Sequence, residues 1–122
     1  MQGFTFTSLA LVAAGGATGS VVRYITSVLA IEWLGAAFPW GTLAVNALGS
    51  LVIGALAGAD VEGQARLLLV TGFLGGFTTF SAFSLEATML WSRSPALSAG
   101  YVAASILLGG AFCLAGFWLF RR

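Results

Sequence analysis

Four apolar stretches, each long enough to cross a membrane as a helix, constrain this chain more than any other feature. They lie at about residues 4–31, 39–59, 66–91 and 97–120. A hydrocarbon core of about 30 Å requires about 20 helical residues. The sequence therefore predicts an all-α membrane protein in which residues 1–122 form a single four-helix transmembrane domain.

Composition and the short connections exclude a soluble domain. Charged residues make up 7% of the chain and the mean hydropathy is +1.00, whereas soluble domains carry about 25% charged residues. The connections around residues 32–39, 60–64 and 92–95 contain the Gly, Pro or charged residues typical of turns. With so little chain outside the membrane, function is expected between the helices.

The chain has none of the common enzyme signatures, and we predict that it is not an enzyme. It has no histidine, no metal-ligand cluster, no G-x-S-x-G and no P-loop. Its single cysteine, Cys113, is expected to contribute only to packing. A net charge of +1 without lysine or a basic run argues against nucleic acid as a partner. No soluble protein partner is implied either.

The arginines give only a weak preference for one orientation in the membrane. Arg66, Arg121 and Arg122 are expected on the side of the termini, Arg93 on the other side and Arg23 within the first helix. So small an excess need not fix one orientation under the positive-inside rule. If copies insert in both orientations, the sequence predicts an antiparallel dimer with two-fold symmetry. A homodimer is simpler than the alternative, a heterodimer with a related subunit.

Pairs of glycines four residues apart indicate close helix contacts. They occur at Gly15 and Gly19, Gly54 and Gly58, and Gly72 and Gly76. Such pairs serve either dimer contacts or packing within one chain, and in so glycine-rich a chain the second use accounts for most of them.

The third helix is expected to break within residues 72–86, where glycines, hydroxyls and phenylalanines replace Leu and Val. Each glycine weakens a helix by about 1 kcal/mol relative to Ala, and Ser or Thr hydroxyls can bond to the backbone groups that a break releases. Non-helical backbone at this depth persists only where it is buried in protein or lines a cavity. The break therefore predicts a site for an ion.

A polar stripe on the second helix is centred on Asn46, with Thr42 and Ser50 at helical spacing. Asn46 either forms an interhelical hydrogen bond, worth about 1 kcal/mol, or donates its amide to a passing anion. Gly54 and Gly58 continue the series, so this face is expected to lie against another helix.

Aromatic and hydroxyl side chains on the last two helices are further candidates. Phe73, Phe77, Phe80 and Phe83 are spaced to form one aromatic face of the third helix. Such faces usually serve packing, but the positive edge of a ring can attract an anion without trapping it. Tyr101, Ser105 and Gly109 share a face of the fourth helix, where Ser105 either bonds to its own backbone or lines a path.

Two ionisable residues, Arg23 and Glu86, fall within or near the membrane. Residues of this kind are costly at depth, so each is a functional hypothesis. Arg23 near a pore mouth would raise the local anion concentration. The alternative for both is an ordinary paired or snorkelling side chain.

With these residues, the chain resembles the Fluc/CrcB family of small microbial fluoride channels over nearly its whole length. The similarity is carried by residues 15–24, 41–50 and 72–84, in that order and spacing. It implies a multi-pass protein of the cell (inner) membrane, built as an antiparallel dual-topology homodimer with helix 3 broken near the midplane. It also implies two passive fluoride pores that lower cytoplasmic fluoride, and a structural sodium ion at the dimer centre.

The resemblance also assigns residues to each ion. Backbone carbonyls of Gly75 and Thr78 are the implied sodium ligands. Arg23 and Glu86 remain vestibule or structural charges, and the predicted fluoride pore comprises Asn46, Thr79, Phe80, Phe83, Tyr101 and Ser105. The sequence departs from the family pattern at Phe77, often a smaller aliphatic residue, and at Ala82, often a threonine.

Two other classes of membrane protein remain as alternatives. A dual-topology proton-coupled exporter also has four short helices, but it needs a titrating carboxylate within the membrane. A holin-like assembly would not need the Asn46 stripe or the pattern of residues 75–83.

Overall fold

The structure, a computed structural model, describes residues 4–122, and every regular element in that range is helical. Four helices are long and apolar enough to cross a membrane: α1 (Phe6–Leu34), α2 (Trp40–Gly58), α3 (Gly63–Arg93) and α4 (Pro95–Phe120). The predicted bounds differ from these by a few residues, because local backbone geometry, and not hydropathy alone, decides where a helix begins and ends. Residues 1–3 of the predicted domain lie outside the described residues.

Local hydrogen bonds cap the first residues of α1 and α4. Thr5 Oγ1 accepts from the Ser8 N–H at 3.0 Å, and Ser8 Oγ accepts in return from the Thr5 N–H at 3.1 Å, which forms a capping box before α1. α1 ends at Leu34 and is followed by Gly35, whose φ of 84° suits glycine. Ser94 Oγ accepts from the Leu97 N–H at 3.2 Å and caps α4, which begins with Pro95. These caps explain how such short connections suffice.

Glycines bring the helices together in pairs within one subunit. α1 packs against the first part of α3, and α2 packs against α4. A Cβ added at Gly15 or Gly19 would meet carbonyl oxygens of α3, and one added at Gly54 or Gly58 would meet carbonyl oxygens of α4. The glycine pairs thus serve packing within the chain, which decides between the two uses the sequence left open.

Large apolar side chains are mostly exposed on the subunit surface, as expected for a chain surrounded by lipid. Trp33, Trp40 and Trp91 are exposed near one end of the helices, and Trp118 near the other. Tryptophan is enriched at both membrane interfaces. With four helices able to span a bilayer, this is a multi-pass membrane protein.

The third helix is interrupted where the sequence predicts a break. Its first segment, residues 63–77, includes a π-helical stretch at Leu67–Leu74, and its second segment is Ser81–Arg93. Between them the backbone at Thr78 is extended, with φ −89° and ψ 158°. The predicted bend in α3 is therefore confirmed.

The interruption also corrects one prediction, because the four phenylalanines do not form a continuous stripe. Phe73 stacks on Phe77 with ring centroids 5.5 Å apart, and Phe80 packs on Phe83 at 5.7 Å. Phe77 is buried at 8% exposure, whereas Phe80 is 78% exposed. The extended residue between the pairs turns the second pair away from the face of the first.

We expect Gly116→Ala to destabilise the subunit by about 1–3 kcal/mol, the usual cost of overpacking. A Cβ at Gly116 would meet the Leu51 carbonyl oxygen and lie 2.9 Å from the Ala55 nitrogen, both on α2. Gly110→Ala is the matched control, because no atom lies within 4 Å of a Cβ there. Thermal unfolding in detergent would compare them, and equal midpoints would contradict this packing.

Candidate functional site

The interruption in α3 is held by the side chain of Asn46 on α2. Its Nδ2 donates to the Thr79 carbonyl oxygen at 2.9 Å, and its Oδ1 accepts from the Thr79 N–H at 2.8 Å. The side-chain amide thus pairs with the backbone of one residue through both of its polar atoms. Of the two interpretations left open by the sequence, the interhelical hydrogen bond is present.

Two backbone carbonyls lose their helical donors at the interruption. In a continuous α-helix each N–H donates to the carbonyl four residues earlier, so Gly75 would receive the Thr79 N–H and Thr78 the Ala82 N–H. Here the Thr79 N–H donates to Asn46, and the Ala82 N–H donates to Thr79 Oγ1 at 3.1 Å. The residues left without these donors are the two predicted sodium ligands.

The side chain of Arg23 reaches the same segment from α1. Its Nε donates to the Gly76 carbonyl oxygen at 2.9 Å, and the contact is partly buried. A guanidinium bond of this kind stabilises a carbonyl that lies beside the interruption. The structure therefore gives Arg23 a structural contact, while its action on a passing anion stays a prediction.

An open groove of about 540 Å³ runs along the interruption. Its lining brings together residues that the sequence assigned to the sodium site and to the fluoride path, namely Asn46, Gly75, Thr78, Thr79 and Phe80. Ser50, from the polar stripe of α2, also lines the groove. In residues 4–122 no cluster of three or more His, Cys, Asp or Glu side chains is placed to hold a metal. The oxygen atoms that the residues lining the groove can offer to a cation belong instead to backbone carbonyls, hydroxyls and the amide of Asn46.

A second polar group surrounds Glu86. Its Oε2 accepts from the Thr42 hydroxyl at 3.0 Å, and its Oε1 accepts from the Tyr101 hydroxyl at 3.1 Å. The carboxylate thereby links α2, α3 and α4, and Tyr101 is fully buried. Thr42 was identified from sequence only as a flank of the Asn46 stripe, since its partner lies on another helix.

A smaller cavity of about 180 Å³ opens from this polar group toward the connection between α1 and α2. Thr42 and Glu86 line it, together with Ser27 and Arg93. Arg93 also donates from Nη2 to the Ala37 carbonyl oxygen at 2.9 Å, which ties the connection to the end of α3.

Aromatic rings join the groove to the group around Glu86. Phe80 lines the groove and packs on Phe83, whose ring lies 5.2 Å from that of Tyr101. One turn further along α4, the Ser105 hydroxyl is buried and has no hydrogen-bond partner in the described part of the chain. The alternative in which Ser105 bonds to its own backbone is therefore not what the structure shows.

Known proteins resemble this chain over most of its length. The sequence profile of a family described as "CrcB-like protein, Camphor Resistance (CrcB)" matches residues 10–117. A Rhizobium johnstonii protein named "Fluoride-specific ion channel FluC" is 53% identical over 117 residues, covering 91% of this chain and 94% of its own. A Rhizobium etli protein of the same name is 54% identical over 119 residues, with the same coverage. An Agrobacterium fabrum protein of that name is 50% identical over 123 residues, covering 94% and 97%.

Proposed function

We propose that this chain, which belongs to the CrcB-like protein family, is a fluoride-selective channel. Fluoride would pass through it down its own gradient, which lowers fluoride in the cytoplasm across the cell (inner) membrane. The relatives that carry the name of a fluoride-specific channel cover nearly all of this chain, and the proposal takes the transported ion from them.

The observation that carries the proposal is the polar groove at the interruption of α3. In a chain with only 7% charged residues, the residues that line the groove include an amide, hydroxyls and two backbone carbonyls that have lost their helical donors, beside an aromatic pair. Irregular backbone in a membrane is tolerated where it lines a cavity or is buried in protein. A groove of this kind is suited to ions.

Several weak interactions must act together to carry fluoride. Moving a small anion into a low-dielectric medium costs on the order of 20 kcal/mol by a Born estimate, which no single amide or hydroxyl can offset. We assign the path to Asn46, Thr79, Phe80, Phe83, Tyr101 and Ser105. The buried Ser105 hydroxyl supports this, because its donor has no partner within the described residues.

We further propose an antiparallel, dual-topology homodimer with two such pores. The groove is open on the surface of one subunit, so a second copy placed by a two-fold axis would close it. The weak charge bias permits both orientations, and two-fold dimers are the commonest closed assembly.

The carbonyls of Gly75 and Thr78 fit a structural sodium ion at the dimer centre. Both have lost their helical donors, and two copies would bring four carbonyl oxygens to one point. Hard cations prefer oxygen ligands, and sodium bound there would supply positive charge near the anion paths. Arg23 already occupies the neighbouring Gly76 carbonyl, which leaves that oxygen out of the set.

Fluoride efflux from liposomes holding the purified protein, followed with a fluoride electrode, tests the proposal. We expect fluoride to leave rapidly and chloride to be retained. Glu86, an interior carboxylate, is the feature that favours the alternative of a proton-coupled exporter. Comparable chloride efflux would reject selectivity, and a fluoride rate that follows an imposed pH gradient would favour the exporter.

A further inference from the structure

We infer that Asn46 and the Thr79 hydroxyl are positioning residues for the bound sodium ion. Each accepts an N–H that would otherwise donate to a carbonyl facing the sodium ion, and together they thereby set the sodium affinity. This inference rests on the proposed function, because it concerns the sodium site of the same assembly. It gives Asn46 a second role besides its place in the anion path.

Asn46 acts on the Gly75 carbonyl through Thr79. Its Oδ1 accepts the Thr79 N–H at 2.8 Å, and that N–H is the donor which helical geometry would direct to Gly75. A buried N–H left without an acceptor is unfavourable, so loss of Oδ1 would drive this donor back toward Gly75. The carbonyl would then be shared between the helix and the cation.

The Thr79 hydroxyl acts on the Thr78 carbonyl in the same way. Its Oγ1 accepts from the Ala82 N–H at 3.1 Å, one residue after the second segment of α3 begins at Ser81. Without that hydroxyl the Ala82 N–H would return to the Thr78 carbonyl, its helical acceptor. One side chain from α2 and one from α3 thus keep two oxygens available in each subunit.

The donor atom of Asn46 is separable from its acceptor atom. Nδ2 donates to the Thr79 carbonyl at 2.9 Å, and this bond plays no part in freeing Gly75. Asn46→Asp keeps an oxygen for the Thr79 N–H and adds negative charge, whereas Asn46→Leu keeps the approximate size and removes both bonds. The two variants therefore separate an effect on the cation from an effect on the anion.

The measurement is the thermal unfolding midpoint of the purified protein in detergent, titrated with sodium chloride against N-methylglucamine chloride at constant ionic strength. A ligand that binds only the folded assembly raises the midpoint with its concentration. For Asn46→Leu we expect the sodium concentration giving half of the stabilisation to rise about tenfold, as expected for one weakened interaction repeated in two copies. For Asn46→Asp we expect it to equal or fall below that of the wild type.

A second pair of variants keeps the test decisive if Asn46→Leu does not fold. Thr79→Val removes the hydroxyl at nearly constant volume, and Thr79→Ser restores it. We expect the sodium concentration giving half of the stabilisation to rise about tenfold in the valine variant and to return to the wild-type value in the serine variant.

The outcomes separate this inference from the proposed function. If Asn46→Leu and Thr79→Val both reach half of the stabilisation at the wild-type sodium concentration, the inference is overturned, while the proposal of fluoride conduction is unaffected. No sodium-dependent stabilisation of the wild type would overturn both the inference and the central sodium site. Liposome efflux of the wild-type protein reports on fluoride conduction independently of either result.

Discussion

Asn46→Asp is expected to reduce fluoride flux about a thousandfold while the subunit stays folded. A fixed carboxylate about 4 Å from a passing anion costs about 4 kcal/mol at an effective dielectric constant near 20, and 1.4 kcal/mol corresponds to about tenfold. The fold is expected to persist because an aspartate oxygen can still accept the Thr79 N–H, the contact that holds α3 to α2.

Initial efflux rates from liposomes at matched protein density would measure this effect. Gln64→Glu is the matched control, because it makes the same change from amide to carboxylate on an exposed residue outside the groove. The control is expected to conduct at the wild-type rate. Undiminished flux in Asn46→Asp would remove Asn46 from the anion path.

Phe80→Ile is expected to slow fluoride about tenfold, because the aliphatic side chain has no positive ring edge to offer an anion and aromatic interactions contribute about 0.5–1.5 kcal/mol. The Phe80 side chain is 78% exposed in the subunit, so the change removes little packing within one chain. Phe120→Ile makes the same substitution at an exposed site outside the groove.

The same efflux assay compares the two phenylalanine variants, with size-exclusion chromatography to establish that each keeps its assembly. A loss confined to Phe80→Ile supports its place on the fluoride path. Equal rates in the wild type and both variants would show that the exposed ring has no part in conduction.

The number of helices and the position of the break in α3 could be predicted because both are written in local sequence. Apolar stretches report spans, and the glycines and hydroxyls of residues 72–86 mark where a helix is weakest. The cap at Ser94 and the glycine at position 35 likewise act within their own turns. Each of these signals requires no knowledge of another helix.

The contacts at the break could not be predicted because their partners are far apart in the chain. Asn46 bonds to Thr79 and Arg23 bonds to Gly76, and no local pattern pairs residues on different helices. Asn46 could be singled out as a polar residue at depth, but which backbone group it would bind depends on how α2 packs against α3. The pairing of Thr42 with Glu86 was missed for the same reason.

The prediction that the four phenylalanines form one continuous face was wrong, because it assumed an unbroken helix. The spacing of Phe73, Phe77, Phe80 and Phe83 assumes an unbroken helical period, although the same stretch predicts a break. The extended backbone at Thr78 ends that period and separates the four rings into two pairs. Periodicity should therefore be applied separately on each side of a predicted interruption.

We propose a passive path that selects fluoride, and a planar bilayer measurement tests both properties most directly. Current through the purified protein would be recorded with a fluoride gradient and equal chloride on both sides, first at equal pH and then with a pH gradient imposed. We predict a reversal potential at the fluoride equilibrium potential that does not move with the pH gradient. A reversal potential near zero, or one that follows pH, would contradict the claim.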